Sequence, residues 1–73
     1  MHKIPIQLET SKDVSAFVKI CTALDCDVHL IDDEGNRVDA KSLLGCLYSS
    51  VEWCNIYCEC EKDISDRILQ FLK

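Results

Sequence analysis

Two kinds of side chain in this 73-residue sequence could carry chemistry: six cysteines, and a few hydroxyl groups standing at helix starts. In a small secreted chain, six thiols would signal a disulfide framework. Their positions argue for another use. Cys21, Cys46, Cys54, Cys58 and Cys60 fall where an apolar side chain would serve, and free cysteine behaves as a small hydrophobe. No C-x-x-C pair occurs, and the alternation around Cys54, Cys58 and Cys60 lays them along one face of a single strand, whereas a structural zinc needs its ligands around a tetrahedron. Same-face neighbours on a strand have parallel Cβ vectors, which disfavours bonding them to each other. The expectation is reduced, core-filling thiols with no metal and no cofactor; a cysteine-based metal or redox protein is the alternative.

The hydroxyls are more specific. In "KSLLG", Lys41 to Gly45, Ser42 precedes an apolar run and is placed to accept a backbone N–H as a helix N-cap, worth about 1 kcal/mol. In "TSKD", Thr10 precedes another helix start, with Asp13 completing a capping-box-like pair. The two imidazoles, His2 near the N-terminus and His29 on the solvent side of a strand, adjoin no nucleophile pattern.

The elements that position these groups follow from periodicity. "KIPIQLE" alternates with period two and carries Pro5, which predicts an edge strand. Val14, Phe17, Val18, Cys21 and Leu24 repeat with helical spacing. "CDVHLID" returns to period two with Cys26, Val28 and Leu30 inward, "DEGN" supplies a turn, and "NRVD" is the return strand of a hairpin. "SLLGCLYSS" is a short helix with more apolar residues than one stripe can hide, so some of its leucines are expected at the surface. "WCNIYCECE" is the strongest strand, with Trp53 and Tyr57 on the open face, and "KDISDRILQFLK" predicts a third helix capped by Asp63, burying Ile64, Ile68, Phe71 and Leu72. The order β-α-β-β-α-β-α, with one-sided strands, predicts an α+β open-faced β-sandwich: one domain over residues 1–73, a four-stranded antiparallel sheet and three helices on one face.

Composition removes several function classes. Eight basic against thirteen acidic residues leave a net charge of −5, and no basic cluster is present to neutralise phosphates or an anionic lipid surface. Nucleic acid and membranes are therefore not expected partners. No apolar run approaches the ~20 residues of a membrane span. "MHKIPIQLET" lacks the apolar core of a secretory signal, and the expected location is the cytoplasm.

The stretch "FVKICTALDCDVHLIDDEGNRVDAKSLLG" resembles the histidine-containing phosphocarrier proteins of the sugar phosphotransferase system, the HPr family, most specifically in "CDVHL" leading through a Gly-containing turn into "VDAKSLLG". The family's phosphoryl-carrying histidine lies just before the first helix, followed closely by arginine and proline. The resemblance puts Thr10 at the histidine position, Lys12 at the arginine and Asp13 at the proline, so the nucleophilic imidazole is missing. In Gram-positive members a serine at the start of the second helix is phosphorylated by a dedicated kinase, and the modified protein binds a transcription regulator of the LacI family. Ser42 occupies that position. Catabolite-repression HPr-like proteins likewise lack the histidine and keep the serine. The resemblance thus implies a non-enzymatic regulatory module with Ser42 as phosphosite, and Leu43, Leu44, Leu47 and Lys41 as its partner-binding patch. Its partners would be an HPr kinase-like enzyme, a LacI-family regulator or phosphotransferase components. Residual phosphocarrier activity in phosphoenolpyruvate-dependent sugar transport is the alternative within the same family.

Overall fold

The structure, a computed structural model, describes residues 1–73. Its elements are β1 (His2–Ile6), α1 (Ser11–Thr22), β2 (Val28–Ile31), β3 (Arg37–Asp39), α2 (Leu43–Glu52) and β4 (Ile56–Cys60). The protein is α+β: the four strands form one antiparallel sheet in the order β1-β4-β2-β3, and two α-helices accompany it. One face of the sheet is covered by the helices and the other is not, an arrangement compatible with an open-faced sandwich.

Alternation decides which face is covered. Ile56, Cys58 and Cys60 of β4 are buried, while Tyr57 and Glu59 between them remain partly exposed. Val28 and Leu30 do the same in β2, and Ile6 in β1. Val14, Phe17 and Cys21 of α1 and Cys46 of α2 close over them in one apolar cluster of 15 residues. Pro5 is tolerated because β1 is an edge strand: its carbonyl accepts from Lys73 N at 3.2 Å on the side away from β4, so its missing N–H removes no bond of the β1–β4 ladder.

The expected start of α1 is present as a full capping box. Thr10 Oγ1 accepts from Asp13 N at 3.1 Å, and Asp13 Oδ2 accepts from Thr10 N at 3.4 Å. The β2–β3 hairpin turns on Gly35 at φ +88°, in the left-handed region that glycine reaches without a Cβ clash. Asp32 ties this turn together by accepting from Glu34 N, Asn36 N and Asn36 Nδ2.

Three expectations are corrected. The third helix does not form. Residues after β4 make two 3₁₀ turns, Ser65–Arg67 and Leu69–Phe71, broken at Ile68, and Asp63 accepts from Ser65 N in a local turn instead of capping an α-helix. The backbone has a competing use there: Phe71 O accepts from Gln7 N at 2.7 Å and Lys73 N donates to Pro5 O, so the segment lies along the free edge of β1. Ile64, Ile68 and Phe71 are nevertheless buried as the pattern required; Leu72 is not. Phe71 meets Phe17 edge-on, with centroids 5.5 Å apart and planes at 89°, joining this segment to α1. Second, Cys54 is not on a strand face: it lies exposed in the bend before β4. Third, Trp53 ends α2 and packs against the core cluster, so only Tyr57 stands on the open face, where Lys3 Nζ sits 4.5 Å over its ring.

Candidate functional site

The chain reaches Ser42 through a tight turn at the end of β3. Ala40 is fully buried and its N–H donates to Val28 O; Ser42 N then donates to Asp39 O at 3.0 Å, while Lys41 N donates to the Asp39 carboxylate at 2.9 Å. Ser42 itself has extended backbone angles, φ −96° and ψ 113°, and its Oγ accepts from Gly45 N at 3.2 Å. It is the N-cap of α2. Gly45 permits the close approach: a Cβ at that position would lie 3.3 Å from Val38 Cβ and 3.4 Å from the Ser42 hydroxyl. The first turn of α2 contains no acidic residue beside this half-buried hydroxyl, and the Asp39 carboxylate, just ahead of the cap, is engaged by Lys41 N.

The helix that Ser42 caps carries the apolar surplus outward. Leu44 is 79% exposed and Val51 81%, with Tyr48 at 58% and Leu43 at 47%. Leu44, Tyr48 and Val51 follow one another at i, i+4 and i+7, a single stripe on the side of α2 away from Cys46 and Ser49. Leu47 is half-buried and packs on the core cluster. Tyr48 and Val51 were not among the residues expected at a contact surface. Helical spacing divides the apolar residues of "SLLGCLYSSV" into two stripes and so groups Tyr48 and Val51 with Leu44, though it does not say which stripe faces outward.

The nearby cations are otherwise engaged. Lys41 Nζ donates to Leu24 O at 3.0 Å, satisfying a carbonyl just past the end of α1, and Arg37 forms an ion pair with Glu59 across the open face of the sheet. Thr10 is exposed at the start of α1 with its hydroxyl used in the capping box. His2 is exposed on β1, and His29 is half-buried on β2, paired across the sheet with Glu59 and Asp39. Neither imidazole lies at the α1 N-terminus.

Four cysteines are buried: Cys21, Cys46, Cys58 and Cys60. Burial pushes the thiols of Cys21 and Cys58 up to about 12 and that of Cys46 up to about 11, which keeps them protonated. Cys46 donates weakly to Ala40 O at 3.5 Å. Cys26 is half-buried and its Sγ lies 3.5 Å from that of Cys60. That contact, more than partial burial, raises the Cys26 thiol above its ordinary value, with Lys62 acting in the opposite direction. No group of three or more His, Cys, Asp or Glu side chains is arranged to hold a metal ion.

On the open face, Asp33 accepts from Asn55 Nδ2 at 2.7 Å and from Tyr57 Oη at 2.8 Å. The Asn55 bond foremost, then that from Tyr57, holds the Asp33 carboxyl below the usual carboxylate range. These bonds fasten the hairpin turn to the start of β4. No helix is long and apolar enough to cross a membrane. Comparison with family models and with curated proteins finds no match for this sequence.

Proposed function

We propose that this protein is an HPr-like regulatory module without the phosphocarrier histidine, an open-faced sandwich whose α2 docks on a protein partner under the control of phosphorylation at Ser42. The observation that carries the reading is the pairing of a capping hydroxyl with the exposed Leu43, Leu44, Tyr48 and Val51 of the helix it starts. A phosphate on Ser42 adds −1.5 to −2 charges beside a helix end carrying about +0.5, so it reinforces the helix start. In the modification Ser42 Oγ attacks the γ-phosphorus of ATP, ADP departs, and the hydroxyl proton passes to a base on the kinase.

The partner's surface is apolar at its centre, to receive the α2 stripe, and arginine-bearing at its rim, to receive a dianion that Lys41 and Arg37 do not already neutralise. The net charge of −5 favours approach of such a basic surface. A LacI-family regulator, by resemblance, is the partner class proposed. The module is non-catalytic: Thr10, at the place of the carrier imidazole, forms stable phosphoesters only.

The test is incubation with HPr kinases and γ-labelled ATP, followed by titration of the phosphorylated protein with a LacI-family regulator. Label on the wild type and none on Ser42→Ala is expected, with binding that weakens at least tenfold in Leu44→Lys. Absence of label across the kinases removes Ser42 as the switch. Transfer of an acid-labile group from phosphoenolpyruvate by the system's first enzyme would instead make the protein a carrier.

A further inference from the structure

A sulfur–sulfur contact lies away from Ser42, where the connection between α1 and β2 meets the end of β4. Cys60 stands opposite Val28 in the β2–β4 register, and Cys26, two residues before Val28, returns its side chain to the same side. Their sulfurs are 3.5 Å apart although the residues are 34 apart in sequence. Lys62 and Asp25 form an exposed ion pair at 3.5 Å that joins the same two segments.

We propose that Cys26 and Cys60 are an oxidisable dithiol that closes to an intramolecular disulfide on reaction with a low-molecular-weight disulfide such as oxidised glutathione. The division of labour follows from exposure. Both sulfur-bearing residues line one surface cleft with Asp25, His29 and Lys62, but Cys26 is half-buried and reachable from solvent, whereas Cys60 is only 2% exposed. Cys26 loses its proton and its thiolate attacks one sulfur of the oxidant, giving a mixed disulfide and one equivalent of glutathione. The Cys60 thiolate then attacks Cys26 Sγ, forming the Cys26–Cys60 bond and expelling the second glutathione. Two S–H bonds are replaced by one S–S bond, and the two protons and two electrons leave on the two glutathione thiols.

The other thiols are held out of this chemistry. Cys58 is the same-face neighbour of Cys60 along β4, about 7 Å away by strand geometry and with a parallel Cβ vector. Cys21, Cys46 and Cys58 are completely buried, out of reach of a soluble oxidant. Cys54 is exposed, without a second sulfur in contact. Closure would fasten Cys26, which lies in irregular chain, to the sheet, so the α1–β2 connection is the segment that senses oxidation.

The experiment uses the full chain carrying Cys54→Ser, which removes the exposed thiol and leaves five. Reduced protein is equilibrated with glutathione mixtures from fully reduced to fully oxidised, quenched in acid, denatured, alkylated with N-ethylmaleimide and weighed intact. The expected result is the loss of two alkylation sites per chain with a mass lower by two hydrogens, reversal by reduced glutathione, and a Cys26–Cys60 link in the fragment spectra. Adding Cys26→Ser should leave every remaining thiol alkylated; Cys26→Ala must do the same if the serine variant does not fold. Five alkylated thiols at every ratio, a mixed disulfide as the end product, a bond between other cysteines, or closure that survives loss of Cys26 would each overturn the proposal.

Discussion

Replacing Ser42 by alanine removes the hydroxyl that accepts the Gly45 N–H at 3.2 Å and leaves that donor, in the first turn of α2, without its partner. Loss of a serine cap costs about 1 kcal/mol, and replacement by glycine costs only a few tenths. At about 2.1 cal/mol/K per residue, a 73-residue chain unfolds with an entropy of about 150 cal/mol/K, so the alanine variant should melt about 7 °C below wild type and the glycine variant about 2 °C below. Ser42→Asp restores an acceptor and adds a charge where α2 has no other acidic residue in its first turn. Its melting temperature at pH 7 should equal or exceed that of wild type by up to the equivalent of ~1 kcal/mol, a gain that shrinks in high salt, is complete above the unfolded carboxyl pKa of about 3.9 and is lost as pH falls below it through the lowered folded pKa. Thermal unfolding followed by circular dichroism measures all three. An aspartate variant as unstable as the alanine variant would refute the reasoning, because a negative group at position 42 would then oppose the helix that the proposed switch requires.

Two further perturbations test the fold. Phe71→Ala should destabilise by about 3–5 kcal/mol in urea unfolding, since it empties a core position and removes the edge-on contact with Phe17; a loss below about 1 kcal/mol would show that the C-terminal turns do not belong to the core. The pH dependence of stability should report Asp33. Its folded pKa lies below the unfolded value of about 3.9, so its contribution is complete above that value and is lost as pH falls through the folded pKa. Asp33→Asn should therefore lower stability at pH 7 and flatten the decline on the acid side, with the remaining decline belonging to Asp32 and Asp63, whose carboxyls are also held down by hydrogen bonds from Asn36 and Ser65. Identical acid unfolding curves for wild type and variant would contradict this assignment.

The candidate site was partly legible before folding because a cap is a local object. Ser42 and Gly45 are three residues apart, and serine before a helical run predicts the bond that the structure contains. The exposure of Leu44 and the half-burial of Leu47 were not separable in the same way. Both continue the apolar pattern of a short helix, and which stripe faces inward depends on how α2 lies across β3, where the space left by Gly45 lets the helix approach Val38.

The sequence alone determined the element periods, the caps at Thr10 and Ser42, the edge position of Pro5 and the alternation that buries Cys58 and Cys60, because each depends on residues within one or two turns of chain. Tertiary structure decided whatever depends on distant partners. The segment from Asp63 has the spacing of a helix, yet Phe71 O and Lys73 N bond to the edge of β1, more than sixty residues earlier, and that pairing prevails over a short helix that is marginal alone. Cys26 and Cys60 likewise look like unrelated apolar fillers in one dimension. Only the β2–β4 register brings their sulfurs within 3.5 Å, because a crossover through the sheet sets positions that no local pattern encodes.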